Sequence, residues 1–198
     1  MFVHQRMTRN PVTVTPKAML STAREKMTAG KFRRVPVVQD NVLVGMLTDH
    51  DLQQYIGVEE RTRIEAAMTE TPLTVAPTLT VEEATQLMLK HHISGLPVLE
   101  SGQLVGIITT SDILKAFLEI TGATAESSLR VNIAANASTT LTDAAQVLTQ
   151  AGGEVLGIGT YGDLTENQRV FFVRVRGIDA TTASTVLRNN GYTVLSIQ

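Results

Sequence analysis

The segment MTRNPVTVTP, residues Met7–Pro16, recurs as MTETPLTVAP at Met68–Pro77. The offset is 61 residues (68 minus 7), and it holds without a gap to the end of each copy. Self-similarity at a fixed spacing over this length indicates an internal repeat. The first two thirds of the chain therefore divide into two copies of one unit, residues 1–60 and residues 61–122.

Each copy has the pattern of one supersecondary unit: an extended entry segment, an amphipathic helix, two short apolar strands and a closing helix. The strands read VPVV with VLVGML in copy one and LPVL with LVGII in copy two. The turn-type dipeptides Asp40-Asn41 and Ser101-Gly102 join these runs, so both pairs are predicted hairpins. Because so small a sheet cannot be buried alone, we expect the copies to stack as a pseudo-twofold pair with two related clefts between them.

The helical spacing of apolar residues predicts an apolar face on several helices of the repeat. The closing helices are predicted to start at Asp51 and Asp112, and in the second one Leu114, Phe117 and Leu118 form an apolar face. The first helix of each copy has a stripe that should face a core. These stripes are Leu20, Ala23 and Met27 in copy one, and Val81, Ala84, Leu87 and Met88 in copy two.

A polar segment, TGATAESS, follows the repeat and marks a domain boundary. Residues 127–198 are predicted to form a βαββαβ domain, with strands at about Glu154–Tyr161 and Arg169–Arg176 and a last helix from about Asp179. This order is the ferredoxin-like split arrangement, an α+β fold. Its sheet has one face covered by helices, and we expect Phe172 on the other face.

The composition restricts the function. The chain has 198 residues, a formal net charge of -2 and no cysteine. An acidic balance argues against a nucleic-acid partner, and the lack of cysteine excludes disulfides and suits a cytoplasmic protein. No apolar run approaches the roughly 18 residues of a membrane helix, so no membrane association is expected. No Walker loop, G-x-S-x-G elbow or H-E-x-x-H motif is present, so we expect no enzyme and no required cofactor.

The heptapeptides GMLTDHD (Gly45–Asp51) and GIITTSD (Gly106–Asp112) resemble the G-h-h-T-x-x-D signature that closes a CBS motif. The resemblance implies two tandem CBS motifs that bind an adenine nucleotide. In that family the aspartate accepts hydrogen bonds from the ribose hydroxyls, the threonine contacts phosphate or ribose, and the h-P-h strand and the early Thr-Val edge hold the adenine. The residues so implied here are Thr13, Val14, Val35, Pro36, Val37, Thr48 and Asp51 in copy one, and Thr74, Val75, Leu96, Pro97, Val98, Thr109 and Asp112 in copy two.

The two signature aspartates have two readings. A carboxylate at a helix N-terminus, where backbone N–H groups favour a ligand phosphate, fits nucleotide binding. An aspartate at a helix start, with a threonine three residues before it, is also an ordinary helix cap that needs no ligand. Both readings stay open at this point, and the two roles can coexist.

The copies differ in charge just before their Val-Pro and Leu-Pro strands. Copy one has Lys31, Arg33 and Arg34 there, and arginine forks suit phosphate oxygens, although a solvated basic loop is the alternative. Copy two instead has His91, His92, Ser94 and Gly95. We include Arg33, Arg34, His92, Ser94 and Gly95 among the candidate nucleotide-binding residues, and we expect no metal site because the histidine pair lacks a third ligand.

The C-terminal region resembles ACT domains, which bind amino acids beside the first strand-to-helix loop and often dimerise. The corresponding loop here contains Asn136, Ala137, Ser138 and Thr139, of which Ser138 and Thr139 are also candidate helix caps. The loop lacks the Asp-x-Pro-Gly pattern of amino-acid-binding members, so dimerisation alone is an equal alternative. The whole order resembles CBS-ACT proteins of the acetoin-utilisation type.

These resemblances imply a regulatory protein rather than an enzyme. AMP, ADP, ATP or a related adenosyl ligand would bind between the CBS motifs, and a homodimer and the ACT domain would pass the signal on, with a partner enzyme as a further possibility. Two alternatives remain: a constitutive oligomerisation scaffold without ligand, and an amino-acid sensor that uses the ACT domain.

Overall fold

The computed structural model describes residues 1–135, 140–161 and 169–198. It divides into two compact units, Met1–Leu114 and Lys115–Gln198. The repeat region contains, in chain order, β1 Thr8–Arg9, α1 Leu20–Gly30, β2 Arg34–Gln39, β3 Val42–Thr48, α2 Asp49–Gln53, β4 Thr69–Glu70, α3 Val81–His91, β5 Gly95–Glu100, β6 Gln103–Thr109 and α4 Thr110–Ile120.

Both predicted hairpins are present. β2 pairs with β3, and β5 pairs with β6, each antiparallel and each with a register shift in the middle. The two-residue loops have positive φ at both positions, 49° and 64° at Asp40 and Asn41, and 51° and 82° at Ser101 and Gly102. Two consecutive positive φ angles are typical of the tight turns whose twist matches that of the flanking strands.

The first strand of each entry segment crosses to the other copy, which the repeat pattern did not predict. In β1, Thr8 pairs with Ile107 of β6, and in β4, Thr69 pairs with Met46 of β3. The repeat pattern predicts each entry segment as part of its own copy. The exchange is reciprocal at an offset of 61 in both directions, which is the contact pattern of a twofold axis. Neither copy therefore has a complete sheet without the other.

A glycine in each hairpin allows the crossing strand to come close. A Cβ atom at Gly106 would overlap the Met7 sulfur and lie 3.0 Å from the Thr8 carbonyl oxygen. At Gly45, a Cβ atom would overlap the sulfur of Met68 in the same way. A glycine inside a strand often marks such an approach of another backbone.

The core of the repeat region contains the stripes of the first helices. Leu20, Ala23 and Met27 are buried in copy one, and Val81, Ala84 and Met88 are buried in copy two, whereas Leu87 of the predicted copy-two stripe is only partly buried. The apolar face predicted on α4 is exposed. Its residues Leu114, Phe117 and Leu118 are 58%, 58% and 44% exposed, whereas Ala116 of the same helix is buried.

The second unit has the predicted βαββαβ order. Its elements are β7 Ser128–Ala135, α5 Leu141–Gln150, β8 Glu154–Thr160, β9 Arg169–Arg176, α6 Ala180–Asn189 and β10 Thr193–Ile197. The sheet order is β10-β7-β9-β8 and every pairing is antiparallel. The core includes Val131, Val173, Leu148 and Leu187, so both helices cover one face.

The opposite face of this sheet has a polar and aromatic character. Phe172, which alternates with the core residue Val173, lies 4.6 Å from the guanidinium carbon of Arg130. Asn132 accepts a hydrogen bond from Arg130 Nε and donates one to Ser196 Oγ. This is the face on which we expected Phe172.

Two cap assignments on α5 also need correction. The N-cap of α5 is Thr140, whose hydroxyl accepts a hydrogen bond from the Asp143 amide, so neither Ser138 nor Thr139 has that role. Asn136, Ala137, Ser138 and Thr139, the candidate ACT ligand residues, lie outside the described residues. Among the helices of the described ranges, none is both long and apolar enough to cross a membrane.

Candidate functional site

A cleft of about 720 Å³ lies where the two copies of the repeat meet. This volume falls within the range of about 300 to 1,000 Å³ that is usual for small-molecule sites. Copy one contributes the end of its crossing strand, the loop after α1 and the start of β2, and copy two contributes the end of β6 and the start of α4. We name this cavity cleft A.

Five of the residues predicted from sequence line cleft A: Arg33, Arg34, Pro36, Ser94 and Thr109. The structure thus brings the basic loop of copy one onto the signature threonine of copy two. Arg34 is 60 positions from Ser94 and Arg33 is 76 positions from Thr109, and the fold brings all four into one cavity. Lys31, the third member of the basic cluster, also lines the cleft.

The apolar residues predicted to hold the adenine lie in the core and not in the lining of cleft A. Val35, Val37, Leu96 and Val98 are each 0% exposed, because side chains alternate along a strand and these point into the core. Val14 and Val75 are 5% and 6% exposed and bridge to Val37 and Val98. Their side chains cannot reach a ligand in the cleft, so any contact from them would come from backbone atoms.

Eight further candidates are absent from the lining of cleft A. His92 is an exposed residue in left-handed conformation at the C-cap of α3, with a φ of 53°. The other seven are Thr13, Thr48, Asp51, Thr74, Gly95, Pro97 and Asp112.

Arg34 is the most unusual side chain of the cleft. Its Nη2 donates a hydrogen bond to Ser94 Oγ, and its guanidinium packs against Gly95 of the other copy. Nη1 is buried and has no hydrogen-bond partner. Burial lowers the pKa of Arg34 from its ordinary value, while Asp49 raises it and Arg33 lowers it. Arg34 also lines cleft A, where a guanidinium favours an anionic ligand group, since charge-assisted hydrogen bonds to carboxylate or phosphate are the strong ones.

Arg33 is held less firmly than Arg34. Its Nε lies 4.0 Å from Asp49 Oδ2, and its side chain is 83% exposed. An exposed pair at this distance contributes little to stability. Arg33 is therefore free to turn toward a ligand in cleft A at low cost.

The signature aspartates hold the first turns of the closing helices. These helices begin two residues earlier than predicted, at Asp49 and Thr110. Thr48 is the N-cap of α2, and Asp51 Oδ2 accepts hydrogen bonds from its amide and hydroxyl at 2.8 and 2.7 Å. Asp112 Oδ2 accepts the same two bonds from Thr109 at 2.9 and 2.7 Å. The capping reading is thus correct for one carboxylate oxygen, and within the described residues the second oxygen of each aspartate accepts no hydrogen bond.

Sequence reasoning missed several residues that line the cleft. The missed residues are Thr8, Asn10, Pro11, Val12, Phe32, Ile107, Thr110 and Ser111. Four of them belong to the entry segment that crosses to the other copy, and the register of that crossing is a long-range property. Gly106 was the available signal, because a glycine within a strand indicates close approach by another chain segment.

Within the described part of the chain, no group of three or more His, Cys, Asp or Glu side chains is arranged to hold a metal ion. The chemistry that cleft A offers is recognition: guanidinium and ammonium groups on one wall, hydroxyl groups on the other, and Pro36 and Phe32 as apolar surface.

Two repeated hairpins with exchanged edge strands, each followed by a G-h-h-T-x-x-D segment whose aspartate accepts hydrogen bonds from its threonine, define a class of paired α/β modules. A model of the CBS domain family matches residues 3–58 and 63–119, and the chain belongs to that family.

Curated relatives share this region. CBS domain-containing protein YhcV of Bacillus subtilis is 32% identical over 114 residues, which are 56% of this chain and 81% of the relative. Inosine-5'-monophosphate dehydrogenase of Korarchaeum cryptofilum is 34% identical over 106 residues, 53% of this chain. The matched region spans only 22% of that dehydrogenase.

Several solved structures are similar to this chain. CBSX2 in complex with AMP is 31% identical with a TM-score of 0.54, and the match covers 60% of this chain and 97% of that one. The CBS domain pair of MJ0100 in complex with 5'-methylthioadenosine and S-adenosyl-L-methionine is 26% identical with a TM-score of 0.56, covering 59% and 95%. An acetoin utilization protein (AcuB) from Vibrio cholerae is 34% identical with a TM-score of 0.55, covering 60% and 90%.

Proposed function

We propose that this chain is a non-catalytic regulatory protein that binds an adenine nucleotide in cleft A. The observation that carries the proposal is the meeting of the basic loop at Arg33 and Arg34 with the signature residues Thr109 to Ser111 in one cavity. Positive groups and hydroxyl donors that line one cavity suit a phosphate and a ribose.

The similar structures support the choice of ligand class. CBSX2 is in complex with AMP, and the MJ0100 pair is in complex with 5'-methylthioadenosine and S-adenosyl-L-methionine. These three ligands share an adenosine moiety and differ at the 5' position. The basic side chains of cleft A favour members of the set that have one or more phosphates.

Asp112 is the residue that we assign to the ribose. It follows directly after Thr109, Thr110 and Ser111, which line the cleft, and only its Oδ2 is used by the capping box. Its Oδ1 can therefore accept from a ribose hydroxyl without loss of the cap. In this proposal the two readings of the signature aspartate hold together.

The route by which the nucleotide state is read belongs to the same proposal. The second unit, with its sheet order β10-β7-β9-β8, would act as an ACT-like module that passes the signal on within a homodimer or to a partner enzyme. Such coupling requires that the nucleotide bind one conformation better than another.

An assembly scaffold without ligand is the second candidate, and a specific observation favours it. Both signature aspartates already have a structural role in capping boxes, and α4 presents an exposed apolar face of Leu114, Phe117 and Leu118. In that case the chain would bind no nucleotide.

Calorimetric titration of the full chain with AMP, ADP, ATP and S-adenosylmethionine tests the choice. Asp112→Asn and Asp51→Asn are matched variants, because an asparagine oxygen can still accept the capping hydrogen bonds while the charge is lost. We expect wild type to bind a phosphorylated member and Asp112→Asn to bind it about tenfold more weakly or worse, since a charge-assisted bond contributes about 1.5 to 3 kcal/mol. Absence of binding by wild type to all four would support the scaffold.

A further inference from the structure

Two arginines lie directly opposite each other in the sheet of the second unit. In the antiparallel pairing of β7 with β9, Arg130 is the partner of Arg174. Their neighbours Val131 and Val173 lie in the core beneath the helices, and side chains alternate along a strand, so both arginines belong to the opposite face. Like charges at directly opposed positions destabilise a sheet, because their Cβ atoms are only about 4.5 to 5.5 Å apart. A negative group placed between them would relieve this repulsion.

The described residues provide no carboxylate for this pair. Within residues 1–135, 140–161 and 169–198, neither Arg130 nor Arg174 forms an ion pair. Arg176, two positions further along β9, differs from them, because its Nη2 lies 2.6 Å from Glu154 Oε2. The sheet therefore has one arginine with a carboxylate partner beside two opposed arginines whose charges are not compensated in this way.

Arg130 is held in place by neutral groups. Its guanidinium carbon lies 4.6 Å from the centroid of the Phe172 ring and 5.5 Å from that of the Tyr161 ring. Its Nε donates a hydrogen bond to Oδ1 of Asn132, a buried side chain that is itself fixed by a bond to Ser196 Oγ. Aromatic rings attract a guanidinium but leave its charge in place. Arg130 is thus a preorganised cation, and preorganisation lowers the cost of binding a ligand.

Arg174 is held at one side of its guanidinium. Its Nη1 donates a hydrogen bond to Ser128 Oγ at 3.1 Å, and its Nε is buried. Arg130 and Arg174 are both half-buried, so bulk water screens their charges less than it screens a fully exposed side chain. Among the described residues, Nη2 of Arg174 and both Nη atoms of Arg130 make no hydrogen bond, which leaves three terminal nitrogens for a ligand.

We propose that Arg130 and Arg174 together bind a small oxyanion, a carboxylate or a phosphate group, on the face of β7 and β9 that α5 and α6 do not cover. The planar fork of arginine matches the oxygens of either group, and two forks on adjacent strands suit a ligand with two or more oxygens. The site belongs to the second unit and goes beyond the proposed function, since neither arginine lines cleft A.

NMR spectra of the full chain that record the arginine Nε–H signals give a local readout. The Nε–H of Arg130 is protected by its bond to Asn132 and that of Arg174 by burial, so both signals report on this face. The probes are inorganic phosphate and succinate, titrated separately, with sodium chloride at equal ionic strength as the reference. In wild type we expect at least one probe to shift both signals to saturation with a single dissociation constant, and chloride to leave them in place.

Arg174→Met should weaken the binding seen at the Arg130 signal by about tenfold or more, since a charge-assisted hydrogen bond is lost. Arg176→Met is the matched control, because it removes the same charge from the same strand but from an arginine that already has Glu154 as its partner. The control should change the dissociation constant by less than about twofold. Arg174→Lys keeps the charge without the fork and should bind more weakly than wild type but more tightly than Arg174→Met. Melting curves verify that each variant is folded.

The outcomes separate the ligand sources from a failure of the proposal. Saturable shifts with phosphate alone would support a phosphate ligand, and shifts with succinate alone would support a carboxylate. Shifts no larger than those with chloride, or equal losses in Arg174→Met and Arg176→Met, would overturn the proposal. None of these results affects the proposed function, because Arg130, Arg174 and Arg176 are absent from the lining of cleft A.

Discussion

The two copies of the repeat have the same hairpins, the same turn geometry and the same hydrogen bonds from the signature threonine to the signature aspartate, but they differ at the cleft. Copy one supplies the cationic residues Lys31, Arg33 and Arg34 to cleft A, and copy two supplies hydroxyl residues, among them Ser94. Their closing helices also differ, since α2 has 5 residues and α4 has 11. The differences in the lining of cleft A lie mainly in the charged loop before β2 and at the start of α4, whereas Thr8, Pro11, Pro36 and Thr109 line the same cleft and are identical in both copies.

The strand exchange makes the copies one cooperative structure, and removing core volume from either tests this. Leu47→Ala and Ile108→Ala are matched variants at repeat-related positions that are each 0% exposed. Each should lower the free energy of unfolding by about 2 to 5 kcal/mol, since a buried cavity is left. Hydrogen exchange followed by mass spectrometry should show both hairpins losing protection together in either variant.

Val42→Ala is the control, because Val42 is 55% exposed and its truncation should change stability by at most about 0.5 kcal/mol. If Leu47→Ala reduced protection only in β2 and β3, the copies would be independent and the exchange would have no energetic role.

The effect of Arg34 on ligand affinity tests whether the positive charge that copy one supplies to cleft A matters for binding. Arg34→Met should weaken AMP binding by about tenfold or more, because a buried charge-assisted contact contributes about 1.5 to 3 kcal/mol. Stability should change little, since the variant removes a buried N–H that has no partner together with the hydrogen bond from Nη2 to Ser94 Oγ. Calorimetry and thermal melting measure the two quantities. Arg33→Met, at an 83% exposed side chain, is the matched control and should have the smaller effect on affinity.

The first helices of the copies differ in their N-caps, and this predicts a pH effect confined to copy two. Thr80 caps α3, and its amide and hydroxyl donate to Glu83, which lowers the pKa of Glu83 from its ordinary value of 4.5. A lowered pKa means that the stabilisation is complete above about pH 4.5 and is lost as the pH falls through the folded-state value. The difference in melting temperature between wild type and Glu83→Gln should therefore shrink between pH 7 and pH 3. A difference that stayed constant would contradict the role of the charge.

The smallest expected effect is an increase in stability. At the start of α1 the N-cap is Met19, which makes no side-chain capping bond, and Thr22 occupies the position that corresponds to Glu83. Met19→Thr combined with Thr22→Glu should transfer the capping box to copy one and raise stability by about 0.5 to 1 kcal/mol. Denaturant unfolding measures it, and Thr22→Glu alone is the control. A loss of stability would mean that Met19, which is 37% exposed, has a packing role that the cap cannot replace.

Local chemistry explains why much of the fold could be predicted. The hairpins follow from Asp40-Asn41 and Ser101-Gly102, and the buried helix stripes follow from helical spacing. The starts of the closing helices were wrong by two residues, because the capping threonine rather than the aspartate begins the helix. A local pattern cannot distinguish the two when both members of a capping box are favourable cap residues.

The strand exchange and the exposed face of α4 could not be predicted in the same way. The pairing of Thr8 with Ile107 joins residues that are far apart in sequence, and nothing in the entry segment distinguishes its own sheet from that of the other copy. Phe117 has the spacing of a core residue, but which side of a helix meets the core depends on its neighbours. Because long-range contacts decide which residues line cleft A, the sequence predicted the residue types found there but only some of the lining residues.

A crystal structure of the full chain grown with AMP is the most direct test of the central claim. The account predicts AMP in cleft A, with its phosphate on Arg33 and Arg34 and its ribose hydroxyls on Asp112 Oδ1. AMP bound only at a place outside cleft A, or a cleft A that stays empty when the ligand is saturating, would contradict it.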